Sequence, residues 1–213
     1  MTEHMDRKPA EGKIRNTARS KKKFLTAVGK ILKTKGHAGL KINDIANIAG
    51  VDKKMIYTYF GGLDGLIDEY IRSHDFWSNV KIEQATTPIT DGGKVFAKKL
   101  FLSQFDYLFS NKELQKVLLW RLSEDRKSLR KLTEDQEASG EILFTHITDP
   151  HFGANAEKFR AITAILTAGM YYLNMYAEVN GSIFSGIDLK TEIGRKAIKD
   201  ASDFIVDKAY ETW

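Results

Sequence analysis

The sequence predicts an all-α protein of about nine helices, with a three-helix head at the N-terminus and a larger helical bundle behind it. Apolar residues recur at helical spacing along most of the chain. No run of alternating β-branched residues reads as a strand, and no internal repeat is present. With 213 residues, 42% hydrophobic and 29% charged, the chain can bury a sizeable core.

Residues 1–20 carry almost no large apolar side chain, Ile14 being the exception. With Pro9, Gly12 and scattered charges they predict a flexible basic arm. Helical periodicity begins at Phe24, with Val28, Ile31 and Leu32 on the same face, and Gly36 marks its end. Ile42, Ile45, Ala46 and Ala49 line one face of a second, short helix broken by Gly50. Asp52 is a suitable cap for a third, Lys53 to Phe60, which Gly61-Gly62 ends. Further helices are predicted over Leu63 to about Gln84, Gly93 to Ser110, Lys112 to about Leu122 and about Ser128 to Ile147. A loop is predicted at Asp149-Pro150. Ala156 to Val179 is long and apolar on several faces. A Gly/Ser-containing loop over Asn180 to Asp188 precedes the last helix, Leu189 to Tyr210.

Charge is divided unevenly. Residues 1–60 hold 14 Lys/Arg against 5 Asp/Glu, a net of +9, and the rest hold 19 against 23, a net of −4. A basic head on a mildly acidic body points to a polyanionic partner at the N-terminus; solvated lysines in a flexible tail are the alternative. The chain has no cysteine, no apolar signal core and no apolar run near the length a bilayer requires. These features predict a cytoplasmic protein with no membrane association.

The stretch Leu40 to Leu66, LKINDIANIAGVDKKMIYTYFGGLDGL, joins two short helices by a tight turn at Ala49-Gly50-Val51. That is the pattern of a helix-turn-helix. Small residues at Ala46, Ala49 and Gly50 let the helices approach, Val51 and Ile56 anchor the second, and its outer face stays available for a major groove.

Here the sequence resembles the tetracycline-repressor (TetR) family of transcriptional regulators. The resemblance rests on Gly36, Ile42, Asp44-Ile45-Ala46, Ala49-Gly50-Val51, Ile56-Tyr57, Tyr59-Phe60 and Leu66, within residues 24–66. It implies a base-reading role for Lys53, Lys54 and Met55, with Thr58 on the same outer face. It implies phosphate contacts for Tyr57 and Tyr59, and backbone or base-edge contacts for Lys41 and Asn43. Lysines can bind guanine acceptors, methionine can touch a thymine methyl, and tyrosine hydroxyls can donate to phosphate; half-buried packing is the alternative for both tyrosines. The chain departs from the family at Lys41, where a hydroxyl cap is usual, and at Leu63, where a lysine is usual. Gly61, Gly62 and Gly65 make that junction read as flexible.

The resemblance divides the chain into an arm (1–20), a DNA-binding domain (21–66) and an effector-binding and dimerisation domain (67–213). It implies a homodimer through the helices at 156–179 and 189–210, binding a palindromic double-stranded operator as a repressor and released by a small hydrophobic or aromatic effector. A monomeric bundle is the alternative to the dimer. Trp77, Phe96, Phe101, Phe105, Trp120, Phe144, Met170, Tyr171 and Tyr172 are candidates to line the effector cavity, with His74, Gln104 or His146 as polar groups. An ordinary aromatic core is the alternative reading of these residues. A phosphate-binding Gly-rich loop, a nucleophile elbow and a HExxH motif are all missing, and no His/carboxylate cluster has metal-ligand spacing. The sequence therefore predicts no enzyme, no cofactor and no metal. The competing function class is a helical dimeric interaction protein with lost or altered DNA specificity.

Overall fold

The computed structural model describes residues 11–73 and 89–213, in two compact units, Met1–His74 and Asp75–Trp213. Each is taken by itself.

The first unit, the head, contains α1 (Glu11–Lys35), a single 3₁₀ turn (His37–Gly39), α2 (Ile42–Ala49), α3 (Lys54–Phe60) and α4 (Leu63–Arg72). Helix α1 starts inside the stretch expected to be a flexible arm. Residues 11–20 continue the helix N-terminally from its packed part, and Ala18 and Arg19 are good helix formers. Phe24, Val28, Ile31 and Leu32 are fully or almost fully buried, as the spacing requires, and Ala27 joins them. They meet Ile45, Ala46 and Ala49 of α2, Ile56 of α3, and Leu66, Ile67, Tyr70 and Ile71 of α4 in one small core. The Phe60 ring stands edge-on to Phe24, with centroids 6.1 Å apart.

The turn between α2 and α3 is closed by backbone chemistry. Gly50 has φ 61°, the left-handed conformation that suits glycine. Its N–H donates to the Asn47 carbonyl (3.3 Å) and the Val51 N–H to the Ala46 carbonyl (3.3 Å), a Schellman pair. Gly65, read from sequence as a flexible point, is instead a close contact. A Cβ there would lie 1.8 Å from the Phe60 carbonyl oxygen, so α4 can pack on the end of α3 only with glycine at this position.

The second unit, the body, contains α5 (Lys94–Ser110), α6 (Lys112–Ser123), α7 (Lys127–Leu143), α8 (Asp149–Phe152), α9 (Ala156–Val179) and α10 (Glu192–Thr212). The Tyr210 hydroxyl donates to the Gly92 carbonyl (2.9 Å) at the start of α5, and Arg195 donates to the Phe105 carbonyl (3.2 Å) near its end. Helix α10 therefore runs antiparallel to α5. Asn174 also donates to the Phe105 carbonyl (3.4 Å), and Phe159 lies edge-on to Tyr210 (5.4 Å), so α9 runs parallel to α5. Ala97, Phe101, Phe105, Phe159, Leu166, Met170 and Val206 fill the space between them.

Three expectations about the body are corrected. The predicted loop at Asp149-Pro150 is the start of α8, reached from α7 through a π-helical stretch, Phe144–Thr148. Proline suits the first turn of a helix, where its missing N–H has no partner to lose. The loop at 180–188 contains a two-stranded hairpin, β1 (Ile183–Phe184) with β2 (Ile187–Asp188), in an otherwise helical fold. Ser185 and Gly186 both have positive φ, as a two-residue hairpin turn demands, and strands this short show no alternation. The last helix begins at Glu192 rather than Leu189. Leu189 is buried behind the hairpin, and the Thr191 hydroxyl caps the helix by accepting from the Gly194 N–H (3.0 Å). Among the described residues no helix is long and apolar enough to cross a membrane.

Candidate functional site

In the head, Lys41, Asn43, Lys53, Lys54, Tyr57 and Thr58 are exposed, and Met55 and Tyr59 are half-buried. The local sequence dictates this. With Ile56 wholly buried, its neighbours on α3 turn outward, and Tyr57 leaves 57% of its surface open. The Asp52 carboxylate accepts from the Lys54 N–H (2.8 Å), supplying the cap expected of it. Lys41 stands at the N-cap of α2 and makes no side-chain cap bond. Lys53 Nζ donates to Asn43 Oδ1 (3.3 Å), which ties the start of α2 to the start of α3. The Thr58 hydroxyl donates back to the Lys54 carbonyl (3.1 Å), and the Tyr59 ring meets Phe60 edge-on (6.3 Å). Lys41, Asn43, Lys53, Lys54 and Tyr57 thus form a cationic, donor-rich exposed surface on a rigid core. Lys21, within the Lys21-Lys22-Lys23 run, lies 5.5 Å over the Phe60 ring, which fixes part of that positive charge on the helical head.

The body holds a cavity of about 490 Å³, walled by α5, α7 with its π-helical extension, and α9, with Arg121 contributed by α6. Of the candidates named from sequence, Phe96, Phe101, Phe144 and Tyr171 line it, and so does Gln104, whereas Tyr172 is exposed and does not. Phe105, Trp120 and Met170 do not. Phe105 and Met170 are packed in the core between α5, α9 and α10, and the buried Trp120 indole donates to Glu124 Oε2 (2.6 Å). Trp77 and His74 lie outside the described residues. His146 is exposed, with Nδ1 2.9 Å from the Ile142 carbonyl, and is not part of the lining.

Beyond Phe144 and Tyr171, the lining from α7, its π-helical extension and α9 was not foreseen: Gln136, Glu137, Ile147, Thr148, Phe159 and Arg160. Phe144 and Ile147 join Phe96 and Phe159 at one end of the cavity. Gln104, Arg121, Gln136 and Tyr171 stand at the other. Along α5 the wall from Phe96 to Gln104 is about 12 Å long, from the helical rise per residue. Two buried oxygens of residues that line this space, Gln104 Oε1 and Thr148 Oγ1, have no hydrogen-bond partner among the described residues. An unpaired buried acceptor is costly, and such atoms mark places where a ligand or water completes the structure. Burial pushes the Tyr171 phenol pKa up, so it stays protonated as a donor. A signal for the missed residues was present in α7, where polar Gln136 falls on the same face as Leu129 and Leu132.

No family model and no curated protein sequence matches the chain. Solved structures match its fold. A Clostridium perfringens protein described as a regulator of fatty acid metabolism superposes with a TM-score of 0.62 at 17% identity, covering 87% of this chain and 97% of its own. FadR from Bacillus subtilis, a transcriptional regulator solved with stearoyl-CoA, gives 0.60 at 14% identity over 87% and 96%. NalD from Pseudomonas aeruginosa, the secondary repressor of the MexAB-OprM multidrug efflux pump, gives 0.52 at 16% identity over 86% and 95%. The chain has the fold of these regulators. The all-α architecture expected from the tetracycline-repressor resemblance is the one observed, from the head through the last helix of the body.

Proposed function

We propose that the protein is a ligand-responsive, DNA-binding transcriptional repressor that acts as a homodimer. One observation carries this reading: a helix-turn-helix with an exposed Lys53–Tyr57 face and a separate helical unit containing a cavity with unpaired polar atoms occur in one chain. In this reading α3 enters a major groove. Lys53, Lys54, Met55 and Thr58 read bases, Tyr57 and Tyr59 bind phosphates, and Lys41 and Asn43 contact the groove edge.

The dimer is supported by the surface of the last two long helices. Helix α9 leaves Ile165, Tyr172 and Val179 exposed at seven-residue intervals, Ile165 by 72%. Helix α10 leaves Ile193 and Phe204 exposed, Ile193 by 86%. A second copy of the chain, related by a twofold axis, covers such a stripe with its own and sets two heads on one palindrome. The cavity supports a small apolar or aromatic effector, and the stearoyl-CoA bound by FadR is consistent with one that has a long apolar part. The effector releases the operator through its difference in affinity between the DNA-binding and released arrangements, with α4 as the covalent route from the head into the body.

Selection of random duplex DNA tests this reading. The wild-type chain enriches a palindrome, and a Lys54→Ala plus Tyr57→Ala chain does not. Salt-sensitive binding with no enriched sequence would sink it in favour of an interaction protein.

A further inference from the structure

The cavity contains two arginines whose surroundings differ. Arg160 is charge-matched: both of its terminal nitrogens donate to Glu141 (2.5 and 2.9 Å), and Nη2 and Nε donate to Asp149 (2.5 and 3.1 Å). Arg121, at the opposite end, has one side-chain partner among the described residues, and it is neutral: Nη1 donates to Gln136 Oε1 (2.5 Å). Among the described residues no carboxylate stands within ion-pair distance of it. Its guanidinium is partly buried and remains a cation, with N–H donors left over. The Glu137 charge acts on it only from beyond ion-pair distance, so the cation is incompletely matched, and a ligand that supplies a close counter-ion lowers the cost of its partial burial.

Gln104 lies at the same end, 3% exposed, with Oε1 unpaired. Its amide can present a donor or an acceptor to a ligand by turning over. The protonated Tyr171 phenol adds a further donor. Away from these groups, Phe96, Phe144 and Ile147 offer an apolar wall.

We propose that the cavity takes an amphipathic organic carboxylate, its anionic head on Arg121 beside Gln104 and Tyr171, its apolar body toward Phe96, Phe144 and Ile147. The assignment rests on the reading of the cavity as the effector site. The planar guanidinium fork matches a carboxylate in geometry as well as charge. Glu137, exposed at the cavity mouth, limits the head to one small anionic group by repelling additional negative charge.

The test is titration calorimetry of the full chain without DNA. The probes are decanoate and naphthoate, each beside its primary amide, and the coenzyme A thioester of decanoate. At least one acid binds, and its amide binds about ten- to a hundredfold more weakly, the scale set by charge-assisted hydrogen bonds. Arg121→Gln brings the acid to the level of its amide and leaves the amide unchanged. Arg121→Lys, which keeps the charge and loses the fork, falls between and guards against misfolding in the first variant. Gly140 faces the cavity with only the Phe144 ring at 4.0 Å from where its Cβ would be, so Gly140→Leu fills the space and abolishes binding of acid and amide alike. Equal affinity for acid and amide, or an acid insensitive to Arg121→Gln, overturns the head-group assignment while leaving the cavity a ligand site. Binding of the thioester alone overturns it in favour of a thioester ligand. If neither acid binds to a chain that still selects its operator, the carboxylate class is wrong and the regulator reading stands. Failure of operator selection counts against that reading instead.

Discussion

In the head, the buried side chains described are aliphatic or aromatic, and the Tyr70 phenol is the one polar group among them. In the body, Gln104, Gln115, Gln136, Thr148, Asn174, Arg195 and Ser202 are buried along with the apolar core. A surface reader such as the proposed DNA-binding face needs only a stiff platform, and an apolar core provides one. A chamber that discriminates ligands needs polar groups inside, each a liability until it is paired. Some of the body's buried polar groups are paired within the protein. The Arg195 guanidinium carbon lies over the Phe105 and Phe109 rings (4.1 and 3.8 Å to the centroids), and the side chain forms an ion pair with Asp106 (2.9 Å) and donates to Asn174 (3.3 Å). Gln104 and Thr148 are left incomplete at the cavity.

This contrast can be broken at several points. The largest effect is expected at Phe24. Phe24→Ala empties the centre of the head and should cost about 3–5 kcal/mol there. Amide hydrogen exchange should show α1 to α3 opening while α9 and α10 keep their protection; equal loss in both units would show that they are not separate cooperative units. Arg195→Ala removes a cation held over two rings and its hydrogen bonds, while half-exposed Asp106 keeps Lys199, and should cost about 3 kcal/mol in urea denaturation of the body. A loss below about 1 kcal/mol, the scale of an exposed ion pair, would mean that the cluster is decoration.

Acid sharpens the comparison further. Partial burial pushes the Asp106 pKa up, but hydrogen bonds and charge from Lys199 and Arg195 outweigh it and hold the pKa below its ordinary value. A depressed carboxylate pKa contributes stability that is complete above the ordinary value and is lost as the pH falls through the folded one. The body of the wild-type chain should therefore lose stability below about pH 4, and the loss should shrink in Asp106→Asn. A melting temperature with the same acid slope in both proteins would exclude this group. The smallest effect is expected for Lys54→Ala plus Tyr57→Ala, which leaves stability within about 0.5 kcal/mol because both side chains are exposed. Any loss of operator selection in that chain is then a loss of contact, not of fold.

The head was legible almost residue by residue. Phe24, Val28, Ile31, Ile45 and Ile56 fall inward because their spacing leaves them no other face, and Gly50 and Asp52 act through their immediate neighbours. The cavity was legible only in part. Phe96, Phe101, Gln104, Phe144 and Tyr171 line it, but Phe105 and Met170 have the same residue character and face the core. One turn of a helix decides between the two, and sequence does not say which neighbour lies on which side.

What the sequence by itself determined is the helical periodicity, the helix-turn-helix, the charge division between its halves and the fold class they imply. These are local properties, set by side chains within a few turns of one another. Tertiary structure decided which end of the cavity is polar, that Arg160 is matched and Arg121 is not, and that Gly65 is a contact rather than a hinge. It also decided that Pro150 starts a helix. The partners at the cavity come from α5, α6, α7 and α9, segments far apart in the chain, and a charge is matched or unmatched only once packing has chosen its neighbours.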